Sequence, residues 1–359
     1  MTRAVPQKLL PWYGRHRRDL PWRKRPTPYR VWISELMLQQ TRVDTVIDYY
    51  RRWMRTFPSL VALAVAPLSD VLKSWEGLGY YARARNAHRT ARLLVDERAG
   101  RFPRNYAGLC ALPGIGPYTA AAIGSLSMGL DLAVVDGNVA RVLSRLHAWD
   151  EEIDSERSKQ RLQKWADGQL PPGRAGEMNE AMMELGALVC TPRSPACARC
   201  PLRNVCRGYR TGDPERFPVK KARAAVPHKE VGAGLVVNRR NEILVARRRP
   251  DSMLGGLWEF PGGSREPGET IEQCIARELC EELGIHVRVG PHFHTVYHAF
   301  SHFTMDLRVH WARISQGRPR AIDCTEYRWV PVAGIGRLAL PGADRKILHQ
   351  LQDAEVPRF

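Results

Sequence analysis

Cys190, Cys197, Cys200 and Cys206 fall within seventeen residues, close enough for one loop to wrap a single metal centre. Four thiolates suit zinc or an iron–sulfur cluster, and spacing alone does not choose between them. Two disulfides would need an oxidising compartment, of which the chain gives no sign. The loop also carries Arg193, Arg199, Arg203 and Arg207, so a rigid metal-held element would present cations to a polyanion. Two carboxylates stand apart from the other acids. Glu35 lies among Trp32, Ile33, Leu36 and Met37, where desolvation would raise its pKa and keep a proton on it near neutrality. Asp136 precedes the amphipathic run 139–146 at the place of a helix N-cap, where partial positive charge favours the ionised form. One protonated and one ionised carboxyl is what glycosidic cleavage needs. A third set, Glu278, Glu281 and Glu282, falls at i, i+3 and i+4, so one helix face could hold Mg²⁺ bridging a diphosphate.

The elements that must position these groups divide the chain in two. At 359 residues it exceeds one ordinary core. Lys and Arg outnumber Asp and Glu by 55 to 37, a net charge of +18 that points to a phosphate-rich partner. The first ten residues lack a signal peptide's apolar core, and no run approaches the ~18 apolar residues of a membrane span. With Cys110, Cys274, Cys280 and Cys324 scattered, a cytoplasmic protein without a membrane partner is expected.

Residues 1–208 read as helical, with Thr27 capping a helix that Pro28 opens. Further helices are expected near 43–56, 82–99, 117–128, 138–147, 156–168 and 174–189. Residues 209–226, polar and proline-containing, read as a linker. Residues 227–359 read as an α+β domain. There, 231–237 and 243–249 form a hairpin around Asn238–Asn241. Other strands fall near 257–260, 286–289, 293–299, 303–313 and 326–330, and helices near 270–283 and 343–352.

Between the two carboxylates lies the run 112–120, with Gly114, Gly116 and Pro117 leading into a helix rich in small residues. A tight glycine turn feeding a helix N-terminus can cradle a phosphate with backbone amides alone. Together with the segments 18–23, 34–41 and 77–86, Asp136–Val139 and the cysteine loop, this helix–hairpin–helix (about 110–128) resembles the helix–hairpin–helix DNA glycosylase superfamily. Within it the chain is most similar to the MutY-type adenine DNA glycosylases, over nearly its whole length.

The resemblance implies a [4Fe–4S] cluster on Cys190, Cys197, Cys200 and Cys206. It implies that Glu35 protonates N7 of a flipped adenine and that Asp136, oriented by Asn138, stabilises the oxocarbenium-like sugar. Tyr118 matches a polar position supporting the sugar and the incoming water. In endonuclease III that position is a lysine that attacks the sugar, and a tyrosine cannot form the Schiff base, so strand cleavage is not expected. Gln40 and Tyr80 match residues that fill or wedge the duplex, with Leu38 intercalating. Arg18, Leu20, Trp22 and Glu180 match the adenine pocket, and Gly114 and Gly116 the phosphate-binding hairpin.

Residues 263–285 match a complete Nudix box, which resembles the 8-oxoguanine triphosphatase MutT. In MutY-type enzymes this domain serves to recognise 8-oxoguanine in DNA, and its box is often degraded; here Glu278, Glu281 and Glu282 are intact, and Mg²⁺ is a candidate ligand. Phe300, Ser301 and His302 match a loop that reads the lesion. The expectation is an α+β, two-domain, monomeric hydrolase of base-excision repair. It would release adenine mispaired with 8-oxoguanine, or with guanine, from duplex DNA. The rivals are a pyrimidine-specific glycosylase, a nucleotide pyrophosphohydrolase fused to a DNA-binding module, and a non-catalytic damage sensor.

Overall fold

The computed structural model describes residues 4–221 and 225–357. They form two compact units, one of residues 4–64 and 89–221, the other of 65–88 and 225–357. No helix among the described residues is long and apolar enough to cross a membrane.

The first unit is helical. Thr27 caps the helix Pro28–Leu38, its side chain accepting from the Arg30 amide at 3.3 Å, and Pro28 opens the first turn. From Tyr29 to Met37 nearly every residue is buried, so this helix runs through the middle of its unit. It packs against Pro117–Met128, where Ala120, Ala121, Ala122 and Gly124 keep the helix surface low. The helices Val43–Thr56, Ala82–Arg98, Gly137–His147, Glu156–Asp167 and Ala175–Leu188 fall within a residue or so of expectation. Ala4–His16, Leu60–Val65 and Tyr106–Cys110 were not anticipated, nor was Leu68–Trp75 of the second unit. A second core gathers Leu9, Tyr13, Leu143, Met178 and Leu185, all at most 1% exposed, each contributing roughly 1.5–3 kcal/mol by burial.

The first part of the expected linker is not loose. Phe217 is buried, its carbonyl accepts from Arg145 Nε at 3.0 Å, and the Ile153 amide donates to Val219 O at 2.9 Å. One buried aromatic outweighed the polar, proline-containing composition around it.

The second unit holds, among the described residues, a sheet of order β4-β1-β6-β5 and another of order β3-β2-β7. Its strands are β1 (His228–Val236), β2 (Glu242–Arg248), β3 (Trp258–Glu259), β4 (Gly262–Ser264), β5 (His286–Ala299), β6 (Thr304–Gln316) and β7 (Cys324–Pro331). The expected hairpin does not form: β1 and β2 share one bridge, Val237 to Ile243, then enter different sheets. Their turn chemistry is that of a hairpin, but both strands are buried along most of their length, and tertiary partners decide the pairing. The strands expected at 286–289 and 293–299 are one strand with register shifts around Gly290 and Pro291, which an edge position tolerates. The helix Ile271–Leu283, closed by a Thr270–Gln273 capping box, lies over β1. A Cβ on Gly232 would come within 2.9 Å of Ile275, so glycine is what lets the helix down onto the strand.

Residues 65–88 pack in this unit rather than with the helices around them in sequence. Lys73 Nζ donates to Leu338 O at 2.9 Å, the Leu340 amide to Glu76 Oε1 at 2.9 Å, and Arg85 Nη1 to Gly255 O at 2.8 Å.

Candidate active site

Three helices of the first unit deliver the expected catalytic residues to one cleft of about 560 Å³. Glu35 comes from the last turns of Pro28–Leu38, Tyr118 from the first turn of Pro117–Met128, and Asp136 from the N-cap of Gly137–His147. Gly114, at φ 73°, makes the turn that aims the second of these helices. Gly116 has an ordinary φ of −83° and serves as that helix's N-cap, so the hairpin needs only one of its two glycines for backbone freedom.

Glu35 is 5% exposed, and Tyr118 Oη donates to its Oε2 at 2.8 Å. Burial pushes the Glu35 pKa up to about 7, against the pull of the Tyr118 hydrogen bond. Burial and the neighbouring Glu35 carboxyl raise Tyr118 well above its usual range, so it stays a donor. Tyr118 thus holds the Glu35 carboxyl, a contact that the expectation of sugar support did not include.

Asp136 Oδ1 accepts from the Val139 amide at 2.7 Å, and its Oδ2 from Asn138 Nδ2 at 3.0 Å. Burial raises its pKa as well, while these bonds and Arg141 draw it back. The helix N-terminus therefore offsets desolvation rather than overriding it. Asn138 orients Asp136 and is itself held by Arg141, whose Nη2 donates to Asn138 Oδ1 and whose Nε donates to Cys190 O at 2.7 Å.

Arg18, Leu20, Trp22, Leu38, Gln40 and Glu180 line the same cleft. So do three residues that sequence reasoning missed: Arg23, Met183 and Glu184. Glu180, Met183 and Glu184 share a helix face at i, i+3 and i+4, a signal that was legible; the partners of the two glutamates, some 160 residues upstream, were not. Tyr80 is an exposed residue of the second unit, at φ 48°.

The four loop cysteines are unpaired and partly buried, and they line one small cavity with Arg145 and Tyr209. Arg145 Nη1 reaches Cys190 Sγ at 3.3 Å and Thr191 O at 2.7 Å, and Nη2 reaches Pro192 O. Burial and the neighbouring thiols push Cys200 up to about 12. Among the described residues, no three His, Cys, Asp or Glu side chains converge on a single ion. Four free thiols around one common cavity fit an iron–sulfur cluster held by cysteine.

In the second unit the Nudix-box carboxylates are already engaged. Arg277 pairs with Glu269 at 2.9 Å and with Glu278 and Glu281 at 3.0 Å. Glu282 turns to the Gly262 amide at 3.2 Å, and burial together with Glu259 and Glu278 pushes its pKa up to about 8. Phe300 stacks on Phe303 at 4.6 Å, with Ser301 and His302 exposed in the turn between β5 and β6.

Residues 33–167 match the HhH-GPD superfamily of base excision DNA repair proteins. Residues 190–206 match the iron–sulfur binding domain of endonuclease III, and residues 232–350 the NUDIX domain. An adenine DNA glycosylase from Homo sapiens is 35% identical over 403 residues, covering 96% of this chain and 73% of the human one. Another, from Buchnera aphidicola of Schizaphis graminum, is 34% identical, covering 84% of this chain and 85% of its own. Among solved structures, a thermostable thymine-DNA glycosylase superposes with a TM-score of 0.53 at 29% identity. It covers 57% of this chain and 94% of its own.

Proposed function

Because the chain belongs to the adenine DNA glycosylase family, we propose that it hydrolyses the N-glycosidic bond of adenine paired with 8-oxoguanine, or with guanine, in duplex DNA. The observation that carries this reading is Glu35: a buried carboxyl, proton-bearing near neutrality, sharing a cleft with Asp136.

In this reading an extruded adenine enters the cleft and Glu35 donates its proton to N7 as the bond to the sugar breaks. Tyr118 holds the Glu35 oxygen that does not carry the proton. Asp136, kept in place by the Val139 amide and Asn138, faces the positive charge that develops on the deoxyribose. A water then completes the sugar, and Glu35 recovers its proton. Tyr118 offers no amine, so the strand stays intact.

Cys190, Cys197, Cys200 and Cys206 would hold a [4Fe–4S] cluster that locks the cationic loop. The second unit would read 8-oxoguanine through Phe300, Ser301 and His302, and the chain would act as a monomer. Mg²⁺ on the Nudix helix has less support, because Arg277 already neutralises two of its carboxylates.

A single-turnover assay on duplexes carrying adenine opposite 8-oxoguanine, guanine, cytosine and thymine tests the reading. Fast adenine release opposite 8-oxoguanine, without strand cleavage, is expected. Release of thymine or an oxidised pyrimidine in place of adenine would overturn it.

A further inference from the structure

Glu184 is 0% exposed, yet it is a carboxylate bordering the cleft. Its Oε1 accepts from the Arg18 amide at 2.7 Å and from Arg18 Nε at 3.0 Å. Its Oε2 accepts from Arg18 Nη2 and Arg23 Nη2, both at 3.0 Å. Arg23 in turn donates from Nε to Glu180 Oε1 at 3.1 Å and from Nη1 to Arg18 O at 3.2 Å. Tyr13 Oη closes the network on Glu180 Oε2 at 2.7 Å. Burial alone would lift the Glu184 pKa, but the bonds from Arg18 and Arg23 draw it down to about 2.

The two arginines bracket a short segment whose Leu20 and Trp22 also line the cleft. That segment makes one turn, Pro21–Arg23, whose N-cap has no side-chain cap of its own. Against the helix Ala175–Leu188 it is held by Glu184, a buried anion gripping two guanidiniums, and by Glu180, which takes a further bond from Arg23. A buried carboxylate is costly to keep unless its partners return that cost, so the clamp is tight while complete and weak once one member goes.

We infer that Glu184 is a positioning residue for base release: by clamping Arg18 and Arg23 it fixes the wall of the cleft that receives the extruded base. The inference rests on the adenine-glycosylase reading. Glu184 reaches the chemistry through Arg23. Among the groups acting on Glu35, Asp136 and Glu180 favour the protonated form, whereas Tyr118 and Arg23 favour the ionised one. A displaced Arg23 would leave Glu35 protonated to higher pH.

The test is Glu184→Gln in the full-length protein, with Glu184→Asp as the conservative comparison and Arg18→Met and the Arg18→Met/Glu184→Gln pair completing a cycle. We expect Glu184→Gln to slow single-turnover adenine release roughly tenfold to a hundredfold, with duplex affinity retained. Its alkaline limb should move to higher pH, Glu184→Asp should recover part of the rate, and the double variant should be no slower than the worse single one. Hydrogen exchange supplies a readout independent of the reaction: protection at residues 18–23 should fall in Glu184→Gln while the helix Pro28–Leu38 keeps its own. Full protection at 18–23, or a wild-type rate and pH profile per folded molecule, would overturn the clamp. A wild type that releases no adenine would instead overturn the underlying reading, and the exchange experiment would still decide the clamp.

Discussion

Glu35 in the helical unit and Glu282 in the sheet-containing unit are both acids withdrawn from water, and burial lifts both, Glu35 to about 7 and Glu282 to about 8. Their surroundings differ. Glu35 has one neutral donor, Tyr118, and opens on a cleft that also presents Asp136, Asn138 and Glu180. Glu282 accepts from the Gly262 main chain, and the carboxylates beside it on the helix are paired with Arg277. On the proposed reading a raised pKa goes with chemistry at one site and with scaffold at the other. The partner atoms separate the two, and the size of the shift does not.

The sharpest way to break this contrast is Glu35→Gln. The amide keeps the shape and the Tyr118 contact but has no proton to give, so adenine release should fall roughly 10²–10⁴-fold with duplex binding intact. A variant turning over normally would move the chemistry away from this cleft. Next in size is pH. Glu35 must be protonated to act, so the rate should decline as pH rises through about 7, approaching tenfold per unit beyond it. A flat profile from pH 6 to 9 would mean that the donor is some other group.

Tyr118→Phe should have a smaller effect. The Tyr118 hydrogen bond lowers the Glu35 pKa, so its removal raises that pKa further and shifts the alkaline limb upward, by about one unit or less. The rate at pH 7 should change only severalfold, because the acid remains. A shift of the limb downward would show that Tyr118 supports the neutral carboxyl instead.

How far these sites were legible in the sequence depends on how local their causes are. Glu35 was readable because its desolvating neighbours lie within four residues of it on one helix. Asp136 was readable as an N-cap, but not the burial that competes with the helix terminus. The Glu184 clamp joins groups 161–166 residues apart, and no local pattern announces such a pair. The same limit explains the hairpin that did not form, since the Asn238–Asn241 turn is local while the β6 and β7 partners are not. It also explains residues 65–88, whose helical pattern says nothing of the carbonyls at 338 and 340 on which they dock.

Glu282→Gln gives the smallest effect on excision and the cleanest test of the other half of the contrast. Adenine release should be unchanged, within about twofold. Stability should shift, and the sign follows from proton uptake. The folded state holds the Glu282 proton to about pH 8, whereas an unfolded glutamate loses it near the ordinary value of 4.5. Between those limits the native state binds more protons, so wild-type stability falls as pH rises from about 5 to about 8. A glutamine escapes that loss. Glu282→Gln should therefore match the wild type near pH 5 and exceed it at pH 8, by on the order of 1–3 kcal/mol in denaturant unfolding. Adding Mg²⁺ sharpens the measurement. If the helix is only a scaffold, the ion leaves both proteins unchanged. If Glu282 is a ligand, Mg²⁺ raises the stability of the wild type alone, and the Nudix helix would have to be counted as a second working site.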